Sequence, residues 1–332
     1  MDAMEWNPGT LLQLSGNYWA GCALHAAVKL DLFSHQGSAE EIAEASGNDP
    51  RGTSMLLNAL CALGLMEKEG GVYRSSAFAR EFLISASPRF LGHIILHHHH
   101  LVAGWGRLAE AVHEGAPVRD AISHTGSEQE RRSFELGMRN LASLSAPKVV
   151  PQIDLLDRRR LLDLGGGPGT YAAHFCQANP ALQGCIVDLA ANRPFAEETI
   201  ADFDLAGRLD FVAADFITDP LPGGFDVAWL SHILHGEGEA GCRLLLEKAV
   251  TALEPGGLLL VQEFILDNDK RGPLFPALFS LNMLINTPNG AAYSEREIER
   301  LMLDAGLTAV RRLTLDLPNG AGIVAGIVPE NR

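Results

Sequence analysis

The sequence predicts an α/β protein, a mostly parallel seven-stranded sheet with helices on both faces, behind a helical N-terminal domain. Three observations predict it. From Arg160 onward, apolar runs of strand length alternate with helical stretches. A glycine loop, Asp163-Leu164-Gly165-Gly166-Gly167-Pro168-Gly169, follows the first of those runs at once. Before residue 85, three helical segments lead into a short Gly-Gly hairpin.

Bulk properties set the frame. A chain of 332 residues, 47% apolar, suits two domains with sizeable cores better than one. No apolar run reaches the ~20 residues of a membrane span. The stretch Met1 to Thr10 is acidic and polar, without the basic start and apolar core of a signal peptide. The five cysteines, Cys22, Cys61, Cys176, Cys185 and Cys242, contain no CxxC pair, so neither a disulfide framework nor a zinc site is expected. The expected location is the cytoplasm. A formal net charge of −15 repels nucleic acid and anionic membranes and fits an enzyme for a small molecule.

Taken in order, Asn17 to Leu32 carries an apolar stripe, and Ser38-Ala39-Glu40-Glu41 starts a helix as a capping box. Pro50 to Leu65 is a further amphipathic helix, and Leu65 to Arg74 reads as two short strands around Gly70-Gly71. Three helices and a small hairpin describe a winged helix. Its candidate recognition helix, Arg51 to Leu65, has one basic residue and an apolar set, Met55, Leu56, Leu57, Leu60 and Leu63. Such a face suits a second copy of the chain better than DNA. Residues 88–150 read as long helices, Arg89 to His113 and Glu128 to Val150, with Gly115, Pro117 and Gly126 between them. The expected domains are 1–85, a helical linker 86–150, and 151–332.

The expected strands are Arg160–Leu164, Gly184–Val187, Leu209–Val212, Val227–Leu230 and Leu258–Glu263, with helices between them. Two more, near Ala309–Leu315 and Ile323–Val328, read as an antiparallel pair joined through Leu317-Pro318-Asn319-Gly320. The glycines let backbone amides approach a ligand, and the helix from Tyr171 to Ala178 offers its N-terminus. Their spacing, at 165, 166, 167 and 169 with Thr170 next, departs from the dinucleotide fingerprint, and no GxxxxGK[ST] is present. Asp188 ends the second strand, nineteen positions beyond Gly169, where an acid can accept both hydroxyls of a ribose. Ala214-Asp215-Phe216 follows the third strand, with a carboxylate for an exocyclic amine and a ring for an adenine face. His235 lies in Leu230-Ser231-His232-Ile233-Leu234-His235-Gly236-Glu237, just past the fourth strand. Histidine titrates near neutral pH and suits proton removal from a nucleophile. A carboxylate on its other ring nitrogen fixes the tautomer, a role that Glu263 can fill. The bland alternative makes His235 a turn cap and Glu263 an exposed strand end.

These segments, with Glu254-Pro255-Gly256-Gly257, resemble the small-molecule O-methyltransferases related to caffeate, acetylserotonin and polyketide-tailoring methyltransferases. The resemblance covers nearly the whole chain. It implies a winged-helix-like dimerisation domain joined to a Rossmann-like domain that binds S-adenosyl-L-methionine. It implies cofactor contacts by Asp163, Gly165, Gly167, Asp188, Leu189, Asp215, Phe216 and Ser231, with His235 as proton acceptor and Glu263 orienting it. It also implies a substrate pocket drawing on Phe134, Met138, Leu141, Phe279, Asn282, Met283 and Asn286; as sequence alone, the apolar ones read equally as helix core.

Three departures stand out. Ala292 occupies the place of a second acid, Ser231 that of a lysine beside the cofactor, and Gly236-Glu237 that of Asp-Trp. The run His97-His98-His99-His100 cannot form one site on a helix, since consecutive positions point apart, and no metal is expected. The expected protein is a homodimeric methyltransferase acting on a hydroxyl of a small aromatic or polyketide-like molecule, without nucleic-acid or membrane partners. The rival readings are N- or C-methyl transfer or loss of transfer on the same fold, and a ligand-sensing winged-helix regulator.

Overall fold

The computed structural model describes residues 5–119 and 127–331, so residues 1–4 and Gly126 of the expected connection lie outside it. The chain divides into two compact units, Met1–Val102 with Arg132–Asn140, and Ala103–Arg131 with Leu141–Arg332.

The first unit contains α1 (Pro8–Gly16), α2 (Tyr18–Lys29), α3 (Ala39–Ser46), α4 (Pro50–Ala62), the hairpin β1 (Met66–Glu69) and β2 (Val72–Ser75), and α5 (Ala77–Phe82). The expected capping box is present: Ser38 Oγ accepts from the Glu41 amide and the Glu41 carboxylate accepts from the Ser38 amide. Gly70 and Gly71 both take positive φ, 57° and 86°, which the tight turn of β1 and β2 requires. Ala27, Leu32, Phe33, Ile42, Leu57, Leu60 and Tyr73 form the core of this unit. The apolar set of α4 is therefore split. Leu57 and Leu60 are buried, while Met55 and Leu63 face solvent. A larger apolar surface belongs to α1 and α2, where Leu11, Leu12, Tyr18 and Trp19 are exposed.

The expected single helix Arg89 to His113 is two helices, α6 (Gly92–Trp105) and α7 (Leu108–Glu114), parted at Gly106. Glycine costs a helix interior roughly 1 kcal/mol, enough to favour the break. The helix α8 (Glu128–Val149) starts on a capping box from Ser127 and Glu130.

The second unit is built on seven strands, β3 (Arg160–Leu164), β4 (Gln183–Asp188), β5 (Leu209–Ala213), β6 (Phe225–Ser231), β7 (Leu253–Phe264), β8 (Thr308–Arg312) and β9 (Ala321–Ile327). Their order is β5-β4-β3-β6-β7-β9-β8. The first five run parallel, and β9 pairs antiparallel with both β7 and β8. Helices α9 (Thr170–Ala178), α10 (Arg193–Asp202), α11 (Glu239–Ala252), α12 (Leu274–Asn286) and α13 (Glu295–Asp304) complete it.

Side chains alternate along each strand, so the sheet feeds two cores. Leu162, Leu164, Ala228, Leu230, Leu259 and Val261 pack with α11 and α13 residues such as Leu245, Val250 and Leu301. Leu161, Val227, Trp229, Leu258 and Leu260 pack with α9 residues Ala172, Phe175 and Cys176. One expectation fails: no helix joins β5 to β6. The connection contains Asp219-Pro220-Leu221-Pro222-Gly223-Gly224, whose prolines lack amide donors and whose glycines weaken a helix.

Candidate active site

Parallel strands put all their carboxyl ends on one edge. From β3 the chain builds outward to β4 and β5, then returns to lay β6 and β7 on the other side of β3. The strand order reverses between β3 and β6, and the crevice outside such a switch point is where open α/β sheets bind ligands.

The glycine loop occupies the β3 side of that crevice. Gly165, Gly167 and Gly169 adopt φ of 67°, 52° and 70°. A Cβ on Gly169 would lie 2.1 Å from Ile186 Cδ1, so the turn into α9 has no room for a side chain. A Cβ on Gly165 would stand 2.5 Å from Ile233 Cδ1 and 3.4 Å from Phe216 Cε1, which shows the loops after β3, β5 and β6 meeting around it.

Two carboxylates lie beneath this loop. Asp163 is 2% exposed, and the Ala172 amide in the first turn of α9 donates to it. Burial, then the neighbouring Asp188, pushes its carboxyl up to about 7 against that hydrogen bond. Asp188 accepts from the Gly167 amide at 2.7 Å, the Leu189 amide at 2.6 Å and Asn192 Nδ2 at 2.9 Å. Burial outweighs these bonds and raises this acid as well. Thr170 Oγ1, directly after the loop, is buried with no hydrogen-bond partner. Two buried acids, an orphaned hydroxyl, the N-terminus of α9 and the half-buried ring of Phe216 form a donor set suited to a cationic, adenosine-bearing ligand. Asp215 holds the start of its own turn, accepting from the Ile217 amide at 2.9 Å.

The raised Asp163 has a consequence for stability. Its folded value of about 7 exceeds the ordinary aspartate value of 3.8. The folded state therefore binds this proton more tightly, and the stability it contributes is present below pH 3.8 and is lost as pH rises through about 7. Asp163→Asn keeps an acceptor for Ala172 and has no such proton. Urea denaturation of the ligand-free protein should show wild type losing more stability than Asp163→Asn between pH 5 and 8. Parallel losses would contradict the assignment.

On the β6 side, Ser231 Oγ reaches Gln262 Oε1 at 3.5 Å, and Gln262 Nε2 donates to Tyr171 Oη at 3.2 Å. Tyr171 in turn meets Ser145 Oγ at 2.8 Å. The chain then turns sharply at His232, whose φ of 58° is rare for a residue with a side chain. That turn carries His235 onto a short helical turn, Leu234–Gly236, over the end of β7.

His235 Nδ1 lies 2.8 Å from Glu263 Oε2, and the His235 amide donates to Glu263 Oε1 at 3.3 Å. Glu263 is 2% exposed, which removes the exposed strand-end alternative. Burial alone would raise its carboxyl; His235, then His232, overcome that and hold it well below the ordinary carboxylate range. An ionised Glu263 is an acceptor for an Nδ1–H, the tautomer in which Nε2 carries the ring's lone pair. His232 Nδ1 stands 3.6 Å from the same Oε2.

Among the described residues, His232, His235 and Glu263 are the one group whose donor atoms are gathered as metal ligands would be, within 4.8 Å. The 2.8 Å contact is a hydrogen-bond length, shorter than the ~3.3 Å between donors on tetrahedral zinc, so the group reads as a proton-holding cluster. The histidine run of α6 does not gather. His97 packs on Phe134 at 5.2 Å, and His99 Nε2 contacts Lys29 Nζ at 3.3 Å.

Phe279, Asn282, Met283 and Asn286 fall on one face of α12. The Phe279 ring stands edge-on to His235 with centroids 4.8 Å apart. Trp105 Nε1 donates to Asn282 Oδ1 at 3.1 Å, and Asn286 Nδ2 donates to the Asn282 carbonyl at 2.7 Å. Met283 is buried, while Leu141 on α8 is exposed. Phe134 and Met138 are half-buried residues of the first unit. Ala292 is buried, and its amide donates to Ser280 Oγ at 2.9 Å.

Sequence reasoning missed His232, Asn192, Gln262 and Trp105. Asn192, four positions after Asp188, carried a signal: a short polar side chain one turn beyond an acid. Trp105 and Asn282 are 177 positions apart, and only the fold joins them.

Comparison with known proteins places the chain among relatives of one family. Residues 105–308 match the model of an O-methyltransferase domain, and residues 12–85 that of an O-methyltransferase dimerisation domain. The chain is 36% identical to 3-hydroxy-5-methyl-1-naphthoate 3-O-methyltransferase of Streptomyces sahachiroi, over 96% of this chain and 95% of that one. It is 34% identical to the tetracenomycin polyketide synthesis 8-O-methyl transferase of Streptomyces glaucescens, over 95% and 96%. The N,N-dimethyltransferase OxyT of Streptomyces rimosus is 33% identical over 78% of each chain. Among solved structures, human N-acetylserotonin methyltransferase in complex with SAM superimposes with a TM-score of 0.86 at 26% identity, over 99% of this chain and all of that one.

Proposed function

The chain belongs to the O-methyltransferase family, and from that premise we propose that it methylates a hydroxyl of a small aromatic or polyketide-like molecule, with His235 as general base and Glu263 orienting it. The observation that carries this reading is the 2.8 Å contact between His235 Nδ1 and the buried Glu263 carboxylate.

Bound S-adenosyl-L-methionine supplies a methyl group activated by a sulfonium. The chain's own residues do the rest. The glycine loop, Asp188, Leu189, Asp215 and Phe216 hold the adenosine, Asp163 sits beneath the loop, and Ser231 stands at the end of β6. His235 Nε2 takes the proton of the acceptor hydroxyl as the oxygen is alkylated, and Glu263 stabilises the imidazolium that forms. Phe279 borders the base, and Asn282 and Asn286 lie on the same face of α12, an apolar wall with two amides that suits an aromatic acceptor.

The likeness to an N,N-dimethyltransferase keeps nitrogen transfer as the second reading. Incubation with radiolabelled cofactor and a panel of naphthols, hydroxynaphthoates and aromatic amines separates the two. Methyl ethers support the proposal, and label confined to amine products overturns it.

The same proposal includes a homodimer in the cytoplasm, organised as residues 1–85 for association, 86–150 as linker and substrate wall, and 151–332 for chemistry. The match to a dimerisation domain supports association, and the exposed Leu12, Tyr18 and Trp19 give the partner something to bury. No helix among the described residues is long and apolar enough to cross a membrane. Trp19→Glu, at a residue 69% exposed, should shift the light-scattering mass from two copies toward one without lowering the melting temperature of the monomer. An unchanged dimer would move the interface elsewhere.

A further inference from the structure

Glu263 faces two imidazoles. Its Oε2 lies 2.8 Å from His235 Nδ1 and 3.6 Å from His232 Nδ1. The proposed base uses the first contact and leaves the second unexplained. His232 Nδ1 is buried with no partner inside hydrogen-bond distance, and the Glu263 oxygen at 3.6 Å, just beyond that distance, is the acceptor it faces. The backbone holds it there at φ 58°, a conformation that is unfavourable for any residue with a Cβ. Its amide is pinned to the Gln262 carbonyl at 2.8 Å, and its ring lies on Phe264 with centroids 4.3 Å apart. The two imidazole centroids are 6.0 Å apart. A strained backbone, an aromatic shelf and a buried nitrogen at 3.6 Å all direct one side chain at one carboxylate oxygen.

We propose that His232 is a positioning residue of the base, sharing the Glu263 carboxylate with His235, so that His232 sets how tightly the His235 ring is held. This rests on the reading of His235 and Glu263 above. A carboxylate oxygen that serves two donors accepts more weakly from each. With His232 in place, His235 is oriented by Glu263 but does not have its full hydrogen-bonding capacity. When His235 takes a proton at Nε2, its Nδ1–H draws Oε2 closer, and His232 gives up its share. The His232 contact therefore favours the resting state over the charged one and moderates how strongly Glu263 supports the protonated ring.

The test needs no acceptor. Protein labelled with ¹⁵N-histidine and saturated with S-adenosylhomocysteine is examined by long-range correlation from the carbon-bound ring protons, which reports Nδ1 and Nε2 of His235 whether or not the N–H proton exchanges. The His235 signals are assigned by their loss in His235→Asn. Removing the competitor with His232→Phe should strengthen the remaining hydrogen bond and move His235 Nδ1 away from its wild-type shift, toward that of a more strongly bonded N–H. His232→Asn, whose amide can take the second place on Oε2, should return it most of the way. Retained binding of S-adenosylhomocysteine certifies the fold of each variant; if Phe is not tolerated, His232→Ala removes the same donor. An unmoved His235 Nδ1 in the variant that lacks the donor overturns the sharing. Glu263→Gln separates the two levels. If it also leaves His235 unmoved, the pairing of His235 with Glu263 fails, whereas a response to Glu263→Gln alone sinks only the role of His232.

Discussion

His235→Ala should lower kcat by roughly 10²- to 10⁴-fold, the usual contribution of a positioned general base, while S-adenosylhomocysteine binds about as well as to wild type. The ring lies on the β6 side of the crevice, with its Nδ1 committed to Glu263, and none of its recorded contacts involves the glycine loop or Asp188. Truncation therefore removes the proton acceptor without touching the proposed adenosine contacts. Glu263→Gln is the sharper variant. It keeps the volume of a side chain that is 2% exposed and avoids a cavity. With its oxygen toward Nδ1, its NH₂ replaces the acceptor of the longer 3.3 Å bond from the His235 amide, so that bond is lost along with the negative charge. Glutamine can still accept from Nδ1–H, but it cannot neutralise an imidazolium, so kcat should fall while the melting temperature moves little. A loss confined to KM would mean that His235 binds the acceptor rather than deprotonating it. An unaffected kcat in His235→Ala would favour a neutral amine as nucleophile, since such a nucleophile reacts through a lone pair it already has.

The site could be read in the sequence to the extent that its residues follow strand ends. Asp188, Asp215 and His235 each lie just past an apolar run, and parallel strands bring such positions to one edge whatever the details of packing. The glycine loop was legible for a similar reason, as a run of glycines directly after an apolar strand; the positive φ of Gly165, Gly167 and Gly169 is what requires them. What escaped was set by tertiary contact. The burial of Glu263 depends on the helical turn that folds over β7, and nothing in Gln262-Glu263-Phe264 distinguishes it from an exposed strand end. His232 drew no reading of its own, and only its positive φ brings it round to Oε2. The helix α1 went unread because none of its residues is buried, so the amphipathic stripe that betrays most helices is missing; its Asn7 and Thr10 capping pair was the available sign. The missing helix between β5 and β6 was an error of pattern over punctuation, since Pro220 and Pro222 were visible all along.

Asp188→Asn should weaken S-adenosylhomocysteine by roughly 10- to 100-fold, the loss of charged hydrogen bonds worth ~1.5–3 kcal/mol. The substitution is not innocent, and the geometry says why. Both carboxylate oxygens already serve the protein: Oδ2 accepts from the Gly167 amide, and Oδ1 from the Leu189 amide and Asn192 Nδ2. Whichever way an asparagine turns, its own NH₂ faces one of these donors, so the glycine loop loses a tether along with the proposed ribose contact. Asn192→Ala supplies the control. It removes one of the three donors and leaves the carboxylate free for a diol, so its affinity should stay within about tenfold of wild type. The melting temperature of ligand-free protein then divides the effect. If Asp188→Asn melts near wild type and binds weakly, the carboxylate acts on the ligand directly. If both fall together, its main work is to hold the loop in place. Wild-type affinity in Asp188→Asn would remove the ribose contact altogether, and the adenosine would have to be held by Phe216, Asp215 and the loop amides alone.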